Sequence, residues 1–163
     1  MTLIREATAA DLEAIRAIYN QAVAETTSTW DHQPRTSADH QAWYAVKQES
    51  GFPVLVAQEA GEVIGYASYG LFRPHSGYAA TMEHSVYVHP GHHRKGVGRA
   101  LLEQLIPLAR ERGVHVLIGG LSADNEASLA LHTALGFAEV ARMPEVGRKF
   151  DRWLDLVLVE LVL

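Results

Sequence analysis

Glu83-His84-Ser85-Val86-Tyr87-Val88-His89-Pro90-Gly91-His92-His93-Arg94-Lys95-Gly96-Val97-Gly98-Arg99-Ala100-Leu101-Leu102 decides how this chain is read. Its first part, from about Thr81 to His89, is rich in β-branched and aromatic residues and predicts a strand. Pro90-Gly91 breaks it. A basic glycine loop follows and opens directly into a helix with apolar residues at Val97, Leu101, Leu105 and Leu108. A strand, a glycine loop and a helix start together make an anion site. The first helical N–H groups have no intrahelical partner, the helix dipole adds roughly half a positive charge, and phosphate oxygens satisfy both. Arg94, Lys95 and Arg99 add side-chain charge, and Gly96 and Gly98 remove Cβ atoms where phosphates lie against backbone.

Spacing excludes two nucleotide motifs. A P-loop needs Gly, four residues, then Gly-Lys-Ser/Thr; Gly91 and Gly96 fit, but Val97 and Gly98 occupy the last two places. A dinucleotide fingerprint needs a third glycine where Leu101 stands. What remains, His93-Arg94-Lys95-Gly96-Val97-Gly98, resembles the pyrophosphate loop of the GNAT acetyltransferase superfamily: Arg or Gln, two residues, Gly, one residue, then Gly or Ala, after a Val-ended strand. His93 stands in the Arg/Gln place, and its contribution is expected to be backbone geometry and hydrogen bonding.

The 163 residues fit one domain, 1–163, able to bury an independent core. A net charge of −5 argues against a general nucleic-acid partner but is compatible with a local basic loop. There is no cysteine, hence no disulfide, thiolate nucleophile or Cys-type zinc site. No apolar h-region or run near 18 residues is present, so no membrane partner and a cytoplasmic location are expected.

Outward from the opening stretch, Leu3–Ala7 reads as a strand, Thr8 to Asp11 as a capping box, and Leu12 to about Ala24 as a helix. Glu25–Thr36 is a loop containing Trp30. Ser37 is expected to cap a second helix reaching about Glu49. Pro53–Gln58 and Glu62–Phe72 form a hairpin about Ala60-Gly61 and join the central strand in an antiparallel meander. Gly96 to about Arg112 is a helix interrupted by Pro107, for which no role is apparent. Val114–Leu121, a helix over Asp124–Leu135, a strand from Phe137 and a last strand Arg152–Leu163 complete the chain. Trp43 and Trp153 are expected to be packing residues. This order resembles the GNAT fold: α+β, with a mixed, mostly antiparallel central sheet flanked by helices on both faces. In that fold, the strand before the glycine loop and the strand after its helix splay apart, and the thioester arm of acetyl-CoA lies between them.

A second motif, Asn125-Glu-Ala-Ser128-Leu-Ala-Leu-His132-Thr-Ala-Leu-Gly136-Phe137, matches the GNAT pattern of Asn, two residues, Ala or Ser, three residues, Tyr, three residues, Gly-Phe. The resemblance implies that Asn125 and Ser128 hold the pantetheine arm and pyrophosphate with Val86, Tyr87, Val88, His93, Arg94, Lys95, Gly96, Val97, Gly98 and Arg99. His132 takes the place of the Tyr that protonates the leaving thiolate; a helix cap and a packed histidine are the alternative reading. The Val88 N–H is the expected oxyanion donor. A nucleophilic ammonium must first lose a proton. Glu83, a carboxylate in an apolar strand, is the candidate base, directly or through water, with His84 as the alternative. His89, His92 and His93 make a poor metal set on a flexible loop, and no metal is expected.

Trp30, Gly65-Tyr-Ala-Ser-Tyr-Gly70, Phe72-Arg73-Pro74 and Gly147-Arg-Lys-Phe-Asp-Arg-Trp-Leu-Asp155 resemble the phosphinothricin and methionine sulfoximine N-acetyltransferase branch. That implies acetylation of the α-amino group of a small amino-acid analogue by direct transfer in a ternary complex, with a detoxifying role. Arg73 would hold the carboxylate, Trp30 and Phe72 would wall the pocket, and Lys149 would close it from a partner in a homodimer. Open alternatives are a catalytically weak CoA-binding sensor module, or a GNAT enzyme for polyamines or protein N-termini.

Overall fold

The computed structural model describes residues 1–163. Strand β1 (Leu3–Glu6) leads through a 3₁₀ turn, Ala9–Asp11, into helix α1 (Leu12–Glu25). The capping box forms as expected: the Asp11 carboxylate accepts from the Thr8 N–H at 2.7 Å. The Arg5 guanidinium, bonded to both its oxygens, holds the Asp11 pKa down to about 2. Helix α2 (Ser37–Glu49) has Thr36 as its cap, one residue earlier than expected. Thr36 and Asp39 satisfy each other's backbone N–H groups at 3.1 and 2.8 Å, whereas Ser37 lies inside the helix and gives its hydroxyl to Glu13.

Strands β2 (Val54–Glu59) and β3 (Glu62–Leu71) meet at Ala60 and Gly61, both at positive φ, as a tight hairpin requires. Then come β4 (Thr81–Val88), α3 (Val97–Glu111), β5 (Val116–Ser122), α4 (Glu126–Ala134), β6 (Ala138–Lys149) and β7 (Arg152–Val162). They build one seven-stranded sheet in the order β1-β2-β3-β4-β5-β7-β6. Only β4 and β5 run parallel. Strand alternation divides the core. Leu55, Ala57, Ala67 and Tyr69 pack with Leu101, Leu102 and Leu105 of α3, while Val54, Val56 and Tyr66 pack with Ile15, Ile18 and Tyr19 of α1.

The apolar last strand is internal, between β5 and β6, which explains its composition. Trp43 packs on His40 and Tyr66 as expected. Trp153 does not: it is 58% exposed, on the opposite face of β7 from buried Leu154, and stacks under the Arg148 guanidinium at 4.8 Å. Pro107 lies on the exposed side of α3, which continues through it.

One irregularity of the sheet creates the site. The parallel β4–β5 pairing runs only from Thr81–Val116 to His84–Gly119. Beyond it, β4 continues against β3 as far as Val88, and β5 continues against β7 as far as Ser122. The two strands therefore separate over Ser85–Val88, opening a gap at the centre of the sheet.

Candidate active site

The gap opens onto a cleft of about 440 Å³ between the end of β4 and the N-terminal turns of α3 and α4. At its floor, the His89 N–H bonds to Ile64 O of β3 at 2.8 Å. Alternation along β4 then turns the Val88 N–H away from β3, towards the gap. His93 resolves the departure in the glycine loop: its Nε2–H donates to Val88 O at 2.8 Å, holding the strand end and loop together. Arg94 and Gly96 adopt positive φ, +61° and +78°, and Gly96 is the cap of α3. A Cβ at Gly98 would stand in ordinary contact with the Leu131 and Val88 side chains, at 3.4 and 3.7 Å, and its absence leaves the backbone there bare.

Val86, Tyr87, Val88, His93, Arg94, Gly96, Val97, Gly98, Arg99, Asn125 and Ser128 all line this cleft. Lys95 is exposed beside it and does not. Arg99 shares its charge with Glu103 at 2.7 Å. The loop histidines have separate partners: His89 Nδ1 accepts from the Gly91 N–H, and His92 lies 3.4 Å from Glu59. On the facing wall, Asn125 caps α4, accepting from the Ser128 N–H at 3.1 Å.

A second pocket of about 250 Å³ lies on the α1 side of β4 and shares Ser28 and Tyr87 with the cleft. Glu83 and Trp30 both line it. Burial raises the Glu83 pKa and the positive charge of Arg73 works against that shift, so Arg73 lies within electrostatic reach of the candidate base. Phe72 is not in the lining; it packs edge-on to Tyr78 in the β3–β4 loop, with the Arg73 guanidinium 5.2 Å from its ring. Beneath the pocket, Tyr87 stacks on Tyr66 and meets Tyr19 edge-on, and burial raises the pKa of all three phenols.

The roles expected of His132, His84 and Lys149 are corrected. His132 is fully buried, and its Nδ1 lies 2.7 Å from Ser128 O, an acceptor only, so Nδ1 carries the proton. Its bare Nε2 then accepts from His84 Nε2–H at 2.8 Å. Burial lowers the pKa of both rings, which are neutral, and His132 has no proton free to meet a thiolate. His84 has the same difficulty as a base, since its free Nδ1 is out of contact with solvent. Lys149, expected to close a pocket across a dimer, is only 4% exposed and is directed inward within its own chain, onto the carbonyls of Thr26 and Thr29 at 2.6 and 2.7 Å.

Sequence reasoning missed Ser28, Ser85 and Gly120, which also line the second pocket. Ser28 and Ser85 carry no pattern. Gly119-Gly120 did carry one, because paired glycines inside an apolar strand mark close approach. A Cβ at Gly119 would come within 3.0 Å of the His84 ring, and one at Gly120 would lie 3.6 Å from the Glu83 carboxylate.

A sheet that splays beside a basic glycine loop, with a carboxylate in an adjoining pocket, suits a transferase whose cosubstrate has a charged tail and a long arm. The particular family is fixed by comparison: residues 15–137 match the Acetyltransferase (GNAT) family, and the chain belongs to it. It is 49% identical over 159 residues to the L-methionine sulfoximine/L-methionine sulfone acetyltransferase of Pseudomonas paraeruginosa, covering 97% of this chain and 92% of the relative. It is 39% identical to the phosphinothricin N-acetyltransferase of Alcaligenes faecalis, covering 92% of this chain and 77% of the relative. The solved phosphinothricin acetyltransferase of Sinorhizobium meliloti in complex with AcCoA superposes with a TM-score of 0.97 at 34% identity, over 99% of this chain and 88% of the other.

Proposed function

We propose that this protein, as a single N-acetyltransferase domain over residues 1–163, transfers acetyl from acetyl-CoA to the α-amino group of a small amino-acid analogue. The acceptor is of the methionine sulfoximine, methionine sulfone or phosphinothricin type. The observation that carries the reading is the shared wall between the cleft and the Glu83 pocket. There a nucleophile beside Glu83 faces the open edge of β4. The relatives' acceptors point the same way.

Bound acetyl-CoA supplies its acetyl group as a thioester. The glycine-loop N–H groups and Arg94 hold its phosphates, and Asn125 and Ser128 hold the arm. The Val88 N–H, aimed into the gap, orients the carbonyl and stabilises negative charge growing on its oxygen. Glu83 takes the ammonium proton, directly or through water. Its raised pKa suits a base near neutral pH better than an ordinary glutamate. Arg73 pairs with the acceptor carboxylate, and Trp30 walls its side chain. Water delivers the proton to the thiolate, while His132 fixes the α4 backbone at Ser128. The protein acts in the cytoplasm, as a homodimer, in detoxification, with no nucleic-acid or membrane partner.

The test is thiol release from acetyl-CoA with methionine sulfoximine, methionine sulfone, phosphinothricin, a polyamine and a peptide side by side. Release with the first three and not the last two is expected. Preference for the polyamine or peptide overturns the acceptor assignment, and binding of acetyl-CoA without release for any amine overturns the enzyme reading.

A further inference from the structure

Three consecutive residues at the end of β6 hold the segment that carries the acceptor wall. Gly147 lies under Trp30: a Cβ there would sit 2.3 Å from the indole ring. Arg148 O accepts from the His32 Nε2–H at 2.8 Å. The Lys149 ammonium donates to Thr26 O and Thr29 O at 2.6 and 2.7 Å, with Ala22 O at 3.5 Å. Those carbonyls belong to the end of α1 and the irregular segment after it; Ala22 O already accepts from the Thr26 N–H at 3.1 Å, and the Lys149 ammonium serves Thr26 O and Thr29 O beyond it. The other side of that segment, at Ser28, Thr29 and Trp30, faces Glu83 across the acceptor pocket. Lys149 is not in the pocket lining, so it touches the segment from behind and does not touch the acceptor.

We infer that Lys149 is a positioning residue for acceptor recognition: its buried ammonium gathers the carbonyls of Thr26 and Thr29 and thereby sets where Ser28 and Trp30 stand. A lysine suits the task because three donors on one nitrogen serve carbonyls converging from different directions. Without it, two inward carbonyls lose their donor and the segment must relax to reach water. A displacement of about 1 Å in such a wall is enough to change turnover by up to about a hundredfold. Lys149 reaches the acetyl-CoA cleft only at its α1 wall, through Ala22 O and Thr26 O; the glycine loop and α4, which hold the phosphates and the arm, have no bond to it.

The experiment compares Lys149→Met and Lys149→Arg in the full chain. Hydrogen exchange, which needs no substrate, is expected to quicken at the amides of Thr27 to Asp31 in the Met variant, with α3 unchanged. Steady-state kinetics with L-methionine sulfone, the one arm that rests on the acceptor reading, should show kcat/KM for the acceptor down about tenfold or more. Acetyl-CoA affinity should hold within about twofold, and the Arg variant should recover most of the loss. Unchanged exchange in the segment, or equal losses for both substrates, overturns the inference. If the Met variant does not fold, His32→Ala removes the neighbouring tie at an exposed site. It should give a smaller effect of the same sign, and no effect there also overturns the inference. A wild-type protein inactive on methionine sulfone removes the acceptor reading alone, because the exchange result stands without it.

Discussion

Glu83 and Arg73 oppose each other in a way that activity measurements can read. Burial holds the Glu83 carboxyl above its ordinary pKa, and the Arg73 cation pulls it back. Removing the cation by Arg73→Ala leaves burial unopposed, so the acidic limb of the kcat/KM profile is expected to move to higher pH, with a higher KM for an acceptor that has a carboxylate. Replacing the proposed base by Glu83→Gln should lower kcat near neutral pH by about a hundredfold or more, with acetyl-CoA affinity unchanged in a direct binding measurement. Turnover unchanged across the pH range would remove Glu83 as base. At this scale the sequence was a partial guide. Glu83 stood out because a charge in an apolar strand is costly, and Gly96 and Gly98 because they remove Cβ atoms from a basic loop. Lys149, expected to reach a partner's pocket, turns inward instead. What it meets lies 120 and 123 residues away in sequence, beyond any local pattern.

Helix α4 shows how one element serves stability and binding together. Asn125 caps it through the Ser128 N–H, and both residues face the cleft. Asn125→Ala should therefore cost about 1 kcal/mol of stability, a fall of roughly 2–4 °C in Tm for a domain of this size. It should also weaken acetyl-CoA binding measured by calorimetry. Asn125→Asp should restore the melting temperature without restoring affinity, because it caps the helix but presents a charge to phosphates. Elements of this kind were legible: caps, glycine stops and apolar periods are local, and the expected helices and strands form with ends shifted by a few residues. The shift of the α2 cap to Thr36 follows the same rule, since Thr36 has Asp39 three residues on and Ser37 has His40. The length of the β4–β5 contact was legible only through the family resemblance, since no local signal says where two parallel strands part.

Across the whole molecule, three buried histidines make stability depend on acid. His40 has neither ring nitrogen bonded, and burial, with Arg35 and Arg16 nearby, pushes its pKa down to about 4. The unfolded chain binds that proton more readily than the folded one. The stability contribution is therefore present in full above about pH 6.5 and is lost progressively as pH falls towards 4. The His84–His132 pair acts in the same direction. Urea unfolding from pH 7 to 4 should show stability falling steadily, with a shallower slope in His40→Leu. The sheet order has a different consequence, for the making of the protein. β7, last in the chain, fills the place between β5 and β6, and its far end bonds to β5 while its near end forms the hairpin with β6. During synthesis β5 therefore waits with one bare edge, and β6 has no neighbour at all, until β7 leaves the ribosome. Both faces of the gap in the sheet are supported only once β7 has emerged, so a nascent chain can be compact on its α1 side while its catalytic half is still an open, adhesive edge.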